Sequence, residues 1–242
     1  MSIKRINAIS GFRLWLVIAL FMVTAGALSL ITHSTQVLMF GSDIDKVLSS
    51  PWTIITYMWI HADVWHLLVN LIWLGVFIYA ASGVLSNMAI IIIFITGGVC
   101  GASAYMIYSH TCAIHQGALV GASAAILAIA AAIPAASPHA KIKIPFTDRC
   151  LNICILVIPV IAIFGLLSVS DSPGSLAAHA GGLTAGAAAG AIYARMMMSK
   201  SVDDYSHISQ EEKLRLLDKV RRSGYASLTS GERLLLSRMS KN

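Results

Sequence analysis

The sequence predicts an all-α polytopic membrane protein, with six membrane-spanning helices followed by a small helical cytoplasmic C-terminal tail. Three observations carry this reading. Hydrophobic residues make up 57% of the 242 residues and charged residues only 12%, against about 45–50% and about 25% in a soluble domain. The apolar residues gather into six segments near the ~20-residue length that crosses a hydrocarbon core. The cationic residues are sorted almost entirely to one side of those segments. A net charge of +6 would also suit a nucleic-acid binder. In a chain this apolar, excess Lys and Arg marks cytoplasmic loops instead, and no nucleic-acid partner is expected.

The six segments are residues 14–31, 64–82, 89–108, 122–136, 151–169 and 176–194. The fourth is short, as expected of a helix that begins below the outer surface in contact with protein. The second and the fourth to sixth carry polar or many small residues and should face protein. The third, almost unbroken through residues 90–95, should face lipid. Of 17 Lys and Arg residues, 16 fall in three places: Lys4, Arg5 and Arg13; Lys141, Lys143 and Arg149; and everything from Arg195 onward. Six spans put all three places on one side, with only Lys46 opposite, so the positive-inside rule makes both termini cytoplasmic. The first segment has a second reading as a signal peptide, because Ala25-Gly26-Ala27 follows a basic start and an apolar run. That run is long for a signal peptide, which favours an uncleaved helix. The chain divides into a cytoplasmic N-terminus (1–13), a six-helix membrane domain (14–197) and a cytoplasmic tail (198–242).

Polar residues inside such segments are costly and mark function. Four of them fall at one level. With a rise of about 1.5 Å per residue, Ser123 lies roughly 27 Å above the cytoplasmic face, His179 roughly 24 Å and His66 about 25 Å, with Asn70 a turn lower. The segments that carry them are independent and had no need to agree. Ser123 opens a helix after Gly121, where unpaired N–H groups and the helix dipole favour a developing oxyanion. His179, in Ala177-Ala178-His179-Ala180-Gly181-Gly182, is placed to act as general base for Ser123. No Asp or Glu lies near it within the membrane, so the residues support a dyad. His66 and Asn70, four apart, share a helix face, and both can donate to an oxyanion hole. Gly182, Gly186 and Gly190 recur every four residues, a spacing that lets a neighbouring helix approach closely. A bland reading stands beside each of these: a lone Gly-x-Ser is often a helix cap, and a glycine row is often packing. His61, five before His66, falls off that helix face and is expected to stabilise the loop.

Zinc would require a different pattern. His61, His66, His110 and His115 lie on the outer side, but there is no HExxH and neither pair has the four-residue spacing of helical ligands. No metal or other cofactor is expected. The four cysteines show no CxxC. Cys100, Cys150 and Cys154 read as small buried hydrophobes and Cys112 as a loop residue, so no disulfide framework is expected.

Taken in order, His61-x4-His66-x3-Asn70, Gly121-x-Ser123 and Ala178-His179-x-Gly181-Gly182-x3-Gly186 closely resemble the rhomboid intramembrane serine proteases across residues 14 to about 195. The resemblance implies the six-helix rhomboid fold and cleavage of transmembrane segments of other membrane proteins. It implies Ser123 as nucleophile, His179 as general base, and His66 and Asn70 as oxyanion stabilisers. His61, Gly121, Gly182 and Gly186 would be structural parts of the motifs. It further implies a multi-pass protein of the cell (inner) membrane whose active site opens to the outer, periplasmic side. The sequence departs from the family pattern at Ala124, where the motif has Gly, and at Leu127, where many members carry an aromatic. Pro51-Trp52-Thr53 lacks the Arg of a common Trp-Arg pair. A rhomboid-like pseudoprotease that binds membrane helices without cleaving them is the alternative these departures motivate. Retention of both Ser123 and His179 argues for the enzyme. A transporter would want charges or broken inverted repeats at mid-membrane, and neither is present.

Residues 32–60 carry Trp52, Tyr57 and Trp59, aromatics suited to a membrane interface, where rhomboids place a partly embedded hairpin. In the tail, Ser209-Gln210-Glu211-Glu212 and Thr229-Ser230-Gly231-Glu232 read as capping boxes. Leu214, Leu217 and Val220 read as one helical stripe, Gly224 as a stop, and Leu235, Leu236 and Met239 as part of a second short helix. A cytoplasmic partner, the membrane surface and the tail itself are all open as its docking surface.

Overall fold

The computed structural model describes residues 3–112, 117–143, 150–171, 173–206 and 210–228, with Glu232 and Leu236. The chain forms two compact units, Met1–Ala194 and Arg195–Asn242, and the first is built of helices joined by short loops. Helix α1 (Ile3–Ile31) is followed by α2 (Thr35–Leu38), strand β1 (Phe40–Gly41), α3 (Ile44–Ser49), α4 (Thr53–Thr56) and a 3-10 turn over Tyr57–Trp59. Next come α5 (Val64–Ala81), α6 (Asn87–Thr111), β2 (Ala118–Leu119), α7 (Ser123–Ala136), β3 (Lys141–Lys143), β4 (Cys150–Asn152), α8 (Ile153–Asp171) and α9 (Pro173–Ser206). Within the described residues α1, α5 and α6 are long and apolar enough to cross a membrane, and α7 and part of α8 form shorter apolar helices. The protein is an α-helical membrane protein.

Local chemistry explains where the helices begin. Asp63 accepts the His66 N–H at 2.8 Å and caps α5, and Ser86 accepts the Ala89 N–H at 3.2 Å and caps α6. Each side-chain oxygen satisfies a donor that the first turn leaves unpaired. Helix α1 begins several residues before the apolar run does and runs unbroken to Ile31, with Gly11 allowing a close approach to Ser82. It buries Leu14, Ile18 and Met22 in the core, and the Trp15 indole donates to the Leu71 carbonyl at 3.0 Å. The aromatic segment after α1 is tied back by β1, which pairs antiparallel with β2 (Phe40 opposite Leu119, Gly41 opposite Ala118).

The centre of the unit is α7, with every residue from Ala124 to Ile133 buried. A helix apolar on all sides belongs inside. Two helices reach it through glycine. A Cβ at Gly182, Gly186 or Gly190 of α9 would fall on the carbonyl oxygen of Ala124, Ala128 or Ala132 respectively. On α6, a Cβ at Gly97 would overlap that of Ala128, and one at Gly101 would lie 2.6 Å from that of Ala124. The glycine row of α9 is thus a helix contact, matched residue for residue by alanines at the same spacing.

Three expectations are corrected. The third apolar segment does not simply face lipid. Ile91 and Ile92 are exposed, yet Ile90, Ile93, Phe94, Gly97, Gly98, Gly101, Ala102 and Tyr105 are buried, because its glycines admit α7. Cys100 and Cys150 are exposed and Cys154 is half-buried, all without disulfides; Cys100 lies on α6 outside the face that meets α7. Residues 141–143 pair antiparallel with residues 150–152, Lys141 opposite Asn152 and Lys143 opposite Cys150, so Leu151 lies in a strand and α8 begins at Ile153.

In the second unit α10 (Gln210–Ser223) stops before Gly224, whose φ of +76° is the left-handed conformation glycine favours. Leu216 is buried while Leu214 and Leu217 are exposed. The packed side of α10 is therefore not the expected Leu214–Leu217 stripe; the helix turns its other side to the 3-10 turn Tyr225–Ser227. Lys219 Nζ pairs with Glu232 at 2.8 and 3.0 Å. The second tail helix and the two capping boxes fall largely outside the described residues.

Gly186→Leu should destabilise the detergent-solubilised protein, read as a lowered melting temperature, by more than the ~1–3 kcal/mol typical of an overpacked core, because the clash is with backbone. Gly83→Ala, where the nearest atom to a new Cβ is 3.9 Å away, should stay within about 0.5 kcal/mol of the wild type. Equal melting temperatures for both variants would place the α9 glycine row away from α7.

Candidate active site

Helix α7 begins in a tight turn. Gly121 has φ of +100°, a region that L side chains rarely adopt, and its N–H donates to the Tyr57 carbonyl at 2.9 Å. Space makes a second demand on glycine there. A Cβ at position 121 would lie 2.6 Å from His66 Cε1 and 2.8 Å from His66 Nε2. The imidazole of His66 therefore rests directly on the backbone that leads into Ser123. Ser123 is the first residue of α7, and the first hydrogen bond of that helix runs from Ile126 N–H to the Ala122 carbonyl. By position, the N–H groups of Ser123, Ala124 and Ala125 precede that ladder.

Against this helix start lies α9. Ser123 Oγ and His179 Nε2 are 2.6 Å apart, and His179 is buried, 8% exposed. Gly182, one turn further along α9, lets the two helices meet closely enough for this contact. On α5, Asn70 is buried and its Nδ2 donates to the His66 carbonyl at 2.8 Å. Its Oδ1 has no hydrogen-bond partner among the described residues. The structure thus brings Ser123, His179, Gly121 and His66 together, with Asn70 one turn along α5, which packs against α7.

His61 lies outside the helices, between the 3-10 turn and the Asp63 cap. Its ring meets that of His66 edge-on, centroids 5.1 Å apart at 75°. Burial, and then the neighbouring His66, pushes its pKa down to about 4 against the opposing effect of Asp63. Among the described residues no group of three or more His, Cys, Asp or Glu is arranged to hold a metal; His115 lies outside them.

One participant was not singled out from the sequence: Asp63, which carried a readable signal, an N-cap residue directly before an apolar helix. Tyr57, expected as an interfacial aromatic, is instead buried in the core. Its backbone carbonyl holds Gly121, and its hydroxyl donates to the Gly98 carbonyl of α6 at 2.8 Å, joining partners 64 and 41 residues away in the chain.

Because the fold holds His61 neutral, acid should weaken it. The stability that His61 contributes is complete above its ordinary pKa of 6.5 and is lost as pH falls from there toward 4. The melting temperature should therefore drop across this window, and more shallowly in His61→Phe. Identical acid slopes in both proteins would assign the effect to other groups.

A family model, the rhomboid domain, matches residues 48–196, a stretch running from α3 through most of α9 and including every residue of this constellation. No curated protein matches the chain. The match covers more than half of the sequence and includes the motifs that the geometry assembles: the chain belongs to the rhomboid family.

Proposed function

We propose that this protein is an intramembrane serine endopeptidase that cleaves transmembrane segments of other membrane proteins with a Ser123–His179 dyad. The observation that carries the reading is the 2.6 Å contact between Ser123 Oγ and His179 Nε2, in which buried His179 of α9 meets the N-terminus of the buried helix α7. In this reading Ser123 Oγ attacks the scissile carbonyl while its proton passes to His179 Nε2. The oxyanion is met by the Ser123 N–H, His66 and Asn70. Collapse of the tetrahedral adduct breaks the C–N bond and returns the proton to the leaving amine. Water, deprotonated by the same histidine, then hydrolyses the acyl-enzyme and regenerates Ser123.

The proposed topology has six spans in residues 14–197, cytoplasmic segments 1–13 and 198–242, and a site that opens to the outer, periplasmic face of the cell membrane. The distribution of Lys and Arg supports it, as does the position of Ser123 at the outer-facing start of a helix too short to cross the bilayer alone. Substrates are membrane proteins whose transmembrane segment is presented within the bilayer. No cofactor enters the chemistry, and the tail is open to a cytoplasmic partner, the membrane surface or itself.

Ser123→Ala should reduce cleavage of a generic transmembrane substrate by the purified protein to background while leaving it folded. A fluorophosphonate should label Ser123 and need His179. Equal cleavage by wild type and Ser123→Ala would sink the mechanism, and a wild type that neither cuts nor labels would leave the pseudoprotease reading.

His66→Ala or Asn70→Ala should lower kcat by about 10- to 1000-fold, the cost of one lost oxyanion donor, with far less change in KM. A rise in KM alone would move these residues to substrate binding.

A further inference from the structure

We infer that Gly101 of α6 is a positioning residue for the nucleophile, because it leaves the notch that receives the methyl group of Ala124. The inference rests on the protease reading and deepens it by accounting for the one departure from the family motif that adjoins Ser123. Where the family has glycine, position 124 carries a methyl, and that methyl is buried, 2% exposed. A Cβ on Gly101 would lie 2.6 Å from Ala124 Cβ, 3.0 Å from the Ala178 carbonyl oxygen and 3.4 Å from the Tyr57 hydroxyl. Two carbons cannot sit 2.6 Å apart, so positions 101 and 124 share room for one methyl between them.

The neighbours make this point decisive. Ala124 follows the nucleophile and Ala178 precedes the base, so both halves of the dyad converge on Gly101. The start of α7 is held by more than α6. The Ala124 carbonyl meets Gly182 of α9, which itself packs on α6 where Gly181 faces the Cys100 carbonyl. Ahead of it Gly121 is tied to Tyr57, whose hydroxyl is fixed on Gly98. A second methyl in the notch must therefore move Ser123, His179 or both. Gly97 supplies the contrast. It lies one turn away on the same helix, and a Cβ there would overlap Ala128 Cβ, a residue with no neighbour in the dyad. The packing defect is of the same kind at Gly97 and Gly101, but only Gly101 adjoins the chemistry.

The test uses the full-length protein in detergent micelles and reads three quantities: the fluorophosphonate labelling rate of Ser123, kcat and KM for a transmembrane substrate, and melting temperature. Gly101→Ala should slow labelling and kcat by about 100-fold, the scale of a 1 Å misplacement at a reacting centre, with KM changed far less. Adding Ala124→Gly should recover most of the labelling, because only the milder contact with the Ala178 carbonyl remains. Gly97→Ala should lower the melting temperature comparably with a much smaller loss of labelling, and Ala128→Gly, not Ala124→Gly, should relieve it. The inference fails if Gly101→Ala labels at the wild-type rate, if Ala124→Gly does not rescue it, or if Gly97→Ala is equally slow. Should Gly101→Ala not accumulate, the double variant decides: folded, labelled protein supports the shared notch and an unfolded one overturns it. A wild type that does not label overturns the protease reading, and the role of Gly101 in positioning falls with it; the melting-temperature cycle separates that result from a failure of the contact itself.

Discussion

Lipid tails are as apolar as leucine, so helices in a bilayer are not driven together by exclusion of water and must be held by close packing of small residues. In this protein that requirement falls on α7, which is buried along its whole length from Ala124 to Ile133. Alanines at 124, 128 and 132 meet Gly182, Gly186 and Gly190 of α9, and those at 124 and 128 also meet Gly101 and Gly97 of α6. The contacts repeat every four residues on both sides because that is the spacing of one helix face. On the α9 side they bring backbone against backbone, and on the α6 side backbone against the methyl groups of Ala124 and Ala128, which have no rotamer to change. A methyl added at any of these glycines has to move a helix.

The same rigidity fixes the geometry at the N-terminal end of α7. The contact between Ser123 and His179 is made by helices that cannot slide without breaking several glycine contacts. Polar side chains collect there, with Asn70 and His179 both buried. Burial also holds His61 neutral outside the helices. Such burial is bearable because the surrounding helices over-determine the geometry. Tyr57 extends the support: one residue fastens the turn before Ser123 to α6 through two hydrogen bonds, and its ring packs near Phe40, centroids 6.1 Å apart. Strand β1, which begins at Phe40, is in turn paired with β2, two residues before Gly121. The aromatic segment between α1 and α5 is therefore built into the frame of the site, while Trp52 stays exposed.

Much of this architecture was legible in the residues. Apolar segments of spanning length, the sorting of Lys and Arg to one side and the common depth of His66, Ser123 and His179 are all properties measured along one axis. They follow from counting residues at a fixed rise per residue and need no knowledge of which helix is beside which. The four-residue glycine row and the glycine before Ser123 were equally readable, since a missing side chain announces a close approach whatever approaches. Gly224 announced a helix stop in the same way.

Azimuth and partner choice were not written in the same form. The third segment looked lipid-facing because its isoleucines are continuous, yet Gly97, Gly98 and Gly101 turn one face of it inward, and only the presence of α7 reveals which face. Leu216 packs where Leu214 and Leu217 were expected, and strands β3 and β4 take residues that composition alone would assign to a loop and a helix. Tyr57 binds partners 41 and 64 residues away, and the shared space of Gly101 and Ala124 exists between two helices and in neither. Depth along a helix is local and accumulates residue by residue. Rotation about its axis is settled by the neighbours, through contacts between residues far apart in the chain.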